Sequence, residues 1–357
     1  MSQPPATNPP AATHRLLEPA LFGTFCGLAS AVLYTTTNGF LRAVTDCDPV
    51  WVSAVKTVPT ALFMLPWMLS MHSRGLRAIP PWHVLGVIAV GGVIGQVGGN
   101  VPFQWALGTI GVALTVPLTL AGMIVFGTLL GRIFLHEPVT PRTVVALVVL
   151  LLATCVLSLG AQTAHDSVHH ASSGTHLSDE GAIIGHPGND TQTSPAHPLE
   201  LVGAVSAACL SGLAYAVLNV INRYYVTRGH SLPAMLCTVS IMGMLSLGGI
   251  SLARIGPAEM SATQWSDLRL MLLAGVCNAA AFVALTKSLE LTSVIYVNAL
   301  NATQTTMAAV AGVFFFQEPL SPWLLTGISL TIAGLLLIRK ANQRGAENPV
   351  AEIQDEP

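Results

Sequence analysis

Charge is what this sequence has least of. Only 9% of its 357 residues are Asp, Glu, Lys or Arg, against roughly 25% in ordinary soluble domains. A body of this size cannot cover its surface with so little charge, so a water-soluble globular enzyme is excluded. The net charge of −2 supplies no bulk basicity, which argues against nucleic acid as a partner. Six cysteines form no C-x-x-C, so neither a zinc site nor a redox motif is supported. Cys26, Cys155, Cys209, Cys237 and Cys277 sit in apolar runs, as small packing residues do; Cys47 lies in a connection. No P-loop occurs, and His136-Glu137 opens like H-E-x-x-H but meets Thr140 where the second His belongs. No cofactor and no catalytic set is implied.

What is present is apolar length. Hydrophobic residues make up 52% of the chain and mean hydropathy is +0.63. The apolar residues come in runs of about 20, enough to cross ~30 Å of hydrocarbon as helix. Ten spans follow: 20–43, 49–71, 82–107, 110–134, 141–160, 198–222, 232–253, 267–288, 293–316 and 321–339. The expected fold is an all-α polytopic membrane protein with the bilayer as its constant partner. Residues 1–19 and 341–357 read as disordered tails, and 161–197 as a flexible His-rich linker. Ala29-Ser30-Ala31 imitates a signal-peptide cleavage site, but the repeat described next uses residues on both sides of it.

The chain repeats itself in one gapless register. Tyr34, Asn38 and Arg42 recur as Tyr215, Asn219 and Arg223; Glu137, Pro138 and Pro141 recur as Glu318, Pro319 and Pro322. Each half, 20–160 and 198–340, holds five spans. Five is odd, so the second half must enter the membrane from the opposite side, giving an inverted repeat of the kind common in secondary transporters. The Glu-Pro motif stands where one helix stops and the next begins. There Pro ends the helix, Thr140-Pro141 and Ser321-Pro322 cap the following one, and the Glu is expected to bond nearby backbone N–H groups. Glu137, Pro138, Glu318 and Pro319 are thus structural residues.

Basic residues set the orientation. Eleven of the 15 Lys and Arg fall on the side of the termini and three on the other, with Lys56 inside span 2. The positive-inside rule then puts both termini in the cytoplasm and the linker outside, with the plasma (inner) membrane as location. Trp51, Trp67, Trp82, Trp105, Trp265 and Trp323 all fall at or near span ends, as an interfacial aromatic belt requires.

Ten spans, two five-span halves and Glu137-Pro138 with Glu318-Pro319 ahead of spans 5 and 10 carry a resemblance. The sequence resembles the drug/metabolite transporter superfamily, specifically its ten-helix EamA-type members, over about residues 20–340. Ala106-Leu107 and the Ser288-Leu289 region also sit where that family ends its third and eighth helices. The resemblance implies a basket of ten helices around a central cavity, alternating access, and export of a small metabolite. It implies no particular substrate, and the His-rich insertion inherits no role from it. The related four-helix multidrug pumps use a membrane-embedded carboxylate to exchange protons for cations. Here no Asp or Glu lies inside any span, and Glu200, Asp267 and Glu290 stand at span ends, so that mechanism is disfavoured.

Polar residues inside spans are the candidate site, because such groups face a partner or a wet cavity. Lys56 either binds the carboxylate or phosphate of a substrate or snorkels to the interface. In span 9, Asn298, Asn301 and Thr305 share a face with Gln304 beside it; their counterparts in the first half are Pro117, Leu120 and Met123, which suits a substrate with one polar and one apolar end. In span 3, Gln96, Asn100 and Gln104 recur every four residues beside the ridge Gly91, Gly95, Gly99, with Gln96 and Asn100 each one position after a glycine of it. That ridge is expected to meet a neighbouring helix and to leave the amides at the cavity or its rim. Bridging between helices is the alternative for all these amides. The expected substrate-binding set is Lys56, Gln96, Asn100, Asn298, Asn301 and Gln304, with Tyr34, Asn38, Tyr215 and Asn219 as further cavity candidates. Pro59, Pro66 and Pro117 interrupt spans, as gating kinks or as prolines that membrane helices simply tolerate. In the linker, His165, His169, His170, His176, His186 and His197 suit either a metal site or a solvated spacer. A membrane-embedded sensor or enzyme, or a metal-handling protein, is the competing reading.

Overall fold

The computed structural model describes residues 11–76, 79–173, 198–307, 310 and 322–347. Glu318 and Pro319 lie outside the described residues, as do 174–197 of the linker and the outer parts of both tails. Among the described residues every regular element is a helix: α1 (Ala11–Arg42), α2 (Pro49–Ser73), α3 (Trp82–Val93), a π-helical segment (Ile94–Asn100), α4 (Val101–Leu135), α5 (Pro141–Ser173), α6 (Pro198–Val226), α7 (Leu232–Arg254), α8 (Gly256–Ala262), α9 (Trp265–Leu291), α10 (Val294–Asn301) and α11 (Pro322–Glu347). Helices are the expected solution in lipid, where no water is at hand to satisfy a free backbone.

Six stretches are long and apolar enough to cross a membrane, and the longest, Trp82–Leu135, spans 54 residues. A straight helix of that length would run ~80 Å, more than twice a ~30 Å hydrocarbon core. It is not straight: Gly111 sits at φ 72, ψ 175, which breaks α4 into two limbs at the boundary expected between spans 3 and 4. Lipid-compatible surface is plain on the outside, where Phe25, Leu62, Phe134 and Leu245 are all more than half exposed.

Helix ends follow the sequence signals. Asp48 Oδ1 accepts from the N–H groups of Val50 and Trp51 at 2.9 and 3.0 Å ahead of Pro49. Thr140 Oγ1 accepts from the Thr143 N–H at 3.2 Å ahead of Pro141. One boundary is displaced. The linker was expected to begin at 161, yet α5 continues to Ser173. Extending an existing helix is far cheaper than starting one, and Ala161-Gln162 and Ala164 offer it no obstacle. The outer helices likewise reach past the expected tails, to Ala11 and Glu347.

α6 is the inner wall of the bundle. The glycine ridge packs on it: a Cβ at Gly91 would lie 2.6 Å from Ile221, at Gly95 2.6 Å from Leu218, and at Gly99 2.6 Å from Tyr215. α4 crosses α6 closer still, at Gly122 and Gly212. A Cβ on Gly122 would lie 2.9 Å from the Cys209 carbonyl oxygen, and one on Gly212 2.7 Å from the Met123 nitrogen.

Connections gather at two ends. At one, Arg254 pairs with Asp48 at 3.4 Å and Trp51 Nε1 donates to Thr263 at 3.0 Å. At the other, α4 stops at His136, which adopts the left-handed conformation (φ 55, ψ 31). The His136 N–H and the Glu137 N–H, the latter at 3.2 Å, both close back on the Gly131 carbonyl, which satisfies a carbonyl the helix end would otherwise leave free. This turn aims Glu137 into the second half of the chain. Its carboxylate accepts from the N–H groups of Val294 at 2.8 Å and Ile295 at 3.3 Å, and from Arg223 Nε at 3.1 Å. Arg223 also donates through Nη1 to the Leu289 carbonyl. One carboxylate and one guanidinium thus hold together the end of α4, α6, the end of α9 and the start of α10. The Glu does bond backbone N–H groups, but across the halves rather than within its own.

Two outcomes check this packing. Gly212→Leu should cost about 1–3 kcal/mol of overpacking and lower the melting temperature in detergent, whereas Gly248→Ala, with nothing within 4 Å of its added Cβ, should melt like the parent. Glu137→Ala should cost about 2–3 kcal/mol in the same assay, below the usual 3–5 for a broken buried pair, because Arg223 is 21% exposed and keeps some hydration.

Candidate functional site

The described residues enclose a cavity of about 110 Å³, lined from both halves of the chain. A single water needs roughly 10–15 Å³ on this measure, so the space suits several waters or one small solute. α1, α2, the π-helical segment, α4, α6, α9 and the α10 region each contribute side chains.

Its charged pole is built on Asn100. Lys56 Nζ donates to Asn100 Oδ1 at 2.8 Å, and the Tyr215 hydroxyl donates to the same oxygen at 2.7 Å. Asn100 Nδ2 in turn donates to Gln96 Oε1. Two donors on one oxygen fix which way the amide faces. The π-helical turn places Gln96 and Asn100 together at the cavity, and the glycines between them keep α6 close enough for Tyr215 to join. Lys56 is 4% exposed and lines the cavity, so it does not snorkel. Its ammonium has three donors and meets one acceptor. Among the described residues, three ion pairs form, Arg223–Glu137, Arg254–Asp48 and Lys287–Glu290, and none includes Lys56. A buried ammonium without a counter-charge is costly, and an anion entering the cavity removes that cost.

A neutral pole is formed by amides. Asn38 Nδ2 donates to Gln304 Oε1 at 3.4 Å, Gln304 Nε2 to Asn301 Oδ1 at 3.2 Å, and Ser30 Oγ to the same Asn301 oxygen at 3.3 Å. Apolar side chains line the same space, among them Phe103, Leu120, Met123 and Phe282. Leu120 and Met123 are the first-half counterparts of Asn301 and Gln304, and all four line the one cavity.

Five of the six expected binding residues line this space: Lys56, Gln96, Asn100, Asn301 and Gln304. Asn298 does not. It is 1% exposed, accepts from Asn219 Nδ2 at 3.2 Å and donates to the Met123 carbonyl at 3.1 Å, so its amide bridges helices. Spacing does not decide there: Asn298 and Asn301 share α10, but Asn219 and the Met123 carbonyl lie within reach of Asn298 and take up its amide. Gln104 likewise spends its amide on the Leu41 carbonyl at 3.3 Å. Tyr34, Asn38, Tyr215 and Asn219 all reach the cavity. Asn278 was missed. It lines the cavity from α9, and its signal was available: a lone amide in the middle of an apolar run. No cluster of three or more His, Cys, Asp or Glu side chains able to hold a metal occurs among the described residues.

Comparison with known proteins agrees with this architecture. No curated protein matches the sequence significantly. A solved crystal structure, described only as that of a protein, superposes with a TM-score of 0.62 at 16% identity, covering 90% of this chain and 98% of its own; at that identity the likeness concerns the fold. The EamA-like transporter family matches residues 21–159 and again 202–340. The second match begins and ends 181 residues after the first, the same offset that separates Tyr34 from Tyr215 and Glu137 from Glu318. With both halves matched, the chain belongs to the EamA-like transporter family, a family of multi-pass membrane transporters of small solutes.

Proposed function

We propose that this protein is a secondary exporter of a small anionic or zwitterionic metabolite, an amino acid being the simplest case. The observation that carries the reading is Lys56: a buried ammonium facing the cavity, held by one neutral acceptor and paired with no carboxylate among the described residues. The substrate's carboxylate completes that pole. Its apolar portion lies along Phe103 and Phe282, and a second polar group meets the amide pole or Asn278.

The cycle is alternating access between two inverted halves, 20–160 and 198–340, each of five crossings, joined by 161–197. The shared 181-residue offset supports the repeat, and the sorting of connections to two ends supports the alternation of crossings. Both termini are then cytoplasmic, in the plasma (inner) membrane, and the Glu137–Arg223 end faces the cytoplasm. The proposed contact set is Lys56, Gln96, Asn100, Asn278, Asn301 and Gln304.

Purified protein in proteoliposomes, screened against amino acids, small carboxylates and organic cations with and without a proton gradient, tests this. Anionic or zwitterionic solutes should move and cations should not. Lys56→Met should cut that flux about tenfold to a hundredfold, the loss of one charged hydrogen bond, with normal yield of folded protein. Unchanged flux in Lys56→Met removes the anion reading. A reporter fused to the C-terminus in a bacterial host should report the cytoplasm; a periplasmic signal overturns the orientation.

A further inference from the structure

Polar side chains follow one another along α6 from the cavity to the Glu137–Arg223 clamp. Tyr215 and Asn219 line the cavity, Asn222 comes one turn later, and Arg223 belongs to the clamp. Tyr215, Asn219 and Arg223 have hydrogen-bond partners. Among the described residues Asn222 has none: it is 0% exposed, and neither its amide nitrogen nor its amide oxygen meets a partner. Burying an amide in this way forfeits water at a donor and an acceptor without replacement, whereas an apolar side chain of similar shape would lose nothing. The conformation described here is therefore the unfavourable one for Asn222.

The same stretch of α6 is tied shut in two layers. Nearer the cavity, Asn219 Nδ2 donates to Asn298 Oδ1 and Asn298 Nδ2 to the Met123 carbonyl, joining α6, α10 and α4. Beyond Asn222 comes the clamp. Bonds of this number, one of them an ion pair, favour the closed end strongly unless something in the closed state opposes them. A transporter needs both states populated, and a shift between them requires a difference in free energy between the states.

We propose that the clamp end is a gate and that Asn222 is the group that favours its opening. It is dry and unpartnered while Glu137 holds Arg223 and α10, and it is hydrated, or bonded to the passing solute, when they part. This rests on the transporter reading, because only a protein that opens this end has a state in which Asn222 is satisfied.

Hydrogen exchange of the full chain in lipid nanodiscs, with no solute added, reads the gate directly. The N–H groups of Val294 and Ile295 are bonded to Glu137, so a peptide containing them reports clamp opening. Asn222→Leu should slow exchange there about tenfold and leave the α7 amides of 234–240 unchanged. Glu137→Gln should speed it. Four results overturn the proposal. Exchange at 294–295 unchanged in Asn222→Leu means that a buried water already satisfies the amide. Faster exchange means that Asn222 holds the gate shut. Equal slowing at 234–240 means general stabilisation, and no effect of Glu137→Gln means that the clamp is not the closure. Asn222→Met carries the same expectation should the Leu variant fail to fold. Since no solute is present, the two readings fail separately: an unresponsive gate with intact Lys56-dependent flux leaves transport standing, and a responsive gate with no flux in any solute removes it.

Discussion

The Glu137 carboxylate takes two backbone N–H groups at the start of α10 and the guanidinium of Arg223, which reaches on to the carbonyl end of α9. Helix starts carry unsatisfied N–H groups and a partial positive charge, and helix ends the converse. A break between α9 and α10 inside a membrane protein exposes both kinds at once, with little water to serve them. One anion and one cation, each placed against the helix end of opposite sign, make that break tenable. The break in turn is what lets the α10 region present Asn301 and Gln304 to the cavity, with the turn at Ala302 between them. The cavity's neutral pole therefore depends on a carboxylate that does not line it.

The charged pole depends on a different concession, made in backbone geometry rather than charge. Gly91, Gly95 and Gly99 leave room for the α6 side chains Ile221, Leu218 and Tyr215 to press against the backbone of the third span, and the π-helical turn carries Gln96 and Asn100 on the cavity side. Only at that spacing does Tyr215 reach Asn100, and the Tyr and Lys hydrogens together lock the amide oxygen toward them. Lys56 is thereby held in place by a neutral acceptor. A carboxylate there would have quenched the charge; an amide holds the ammonium without neutralising it, which leaves the field available to a solute.

Features that obey a period or a stop signal were legible in the sequence. The helical class with its six long apolar stretches among the described residues, the glycine ridge, the cap at Thr140 and the need of Glu137 for N–H donors all follow from local rules, and the 181-residue register linked the halves. Identity of partners was not legible. Nothing near Glu137 in sequence indicates that its donors lie at 294 and 295, because that pairing is set by how the halves interlock. Asn298 and Asn301 look alike on a helical wheel and both lie in α10, yet one bridges helices and the other faces the cavity, because what each meets is set by the neighbouring helices and not by its position on the wheel. Asn278, by contrast, was readable and overlooked: a solitary amide gives no stripe, and a search for stripes passes over it.

Asn219, Asn222 and Asn298 show that the amides of this protein are not one class. Asn219 and Asn298 satisfy each other and tie helices; Asn222, one turn away on the same helix, satisfies nothing. If polar residues in the membrane served adhesion alone, the unpartnered one would be the anomaly, because adhesion is the role it does not perform. If the same residues serve a protein with two conformations, each state can leave some groups bonded and others bare, and the bare ones set the balance between states. The scarcity of charge that defines the sequence makes this sharper. With Lys56 the only charged side chain deep in the spans, and two ion pairs, Glu137–Arg223 and Asp48–Arg254, joining the halves among the described residues, a single neutral amide is large enough on that scale to matter.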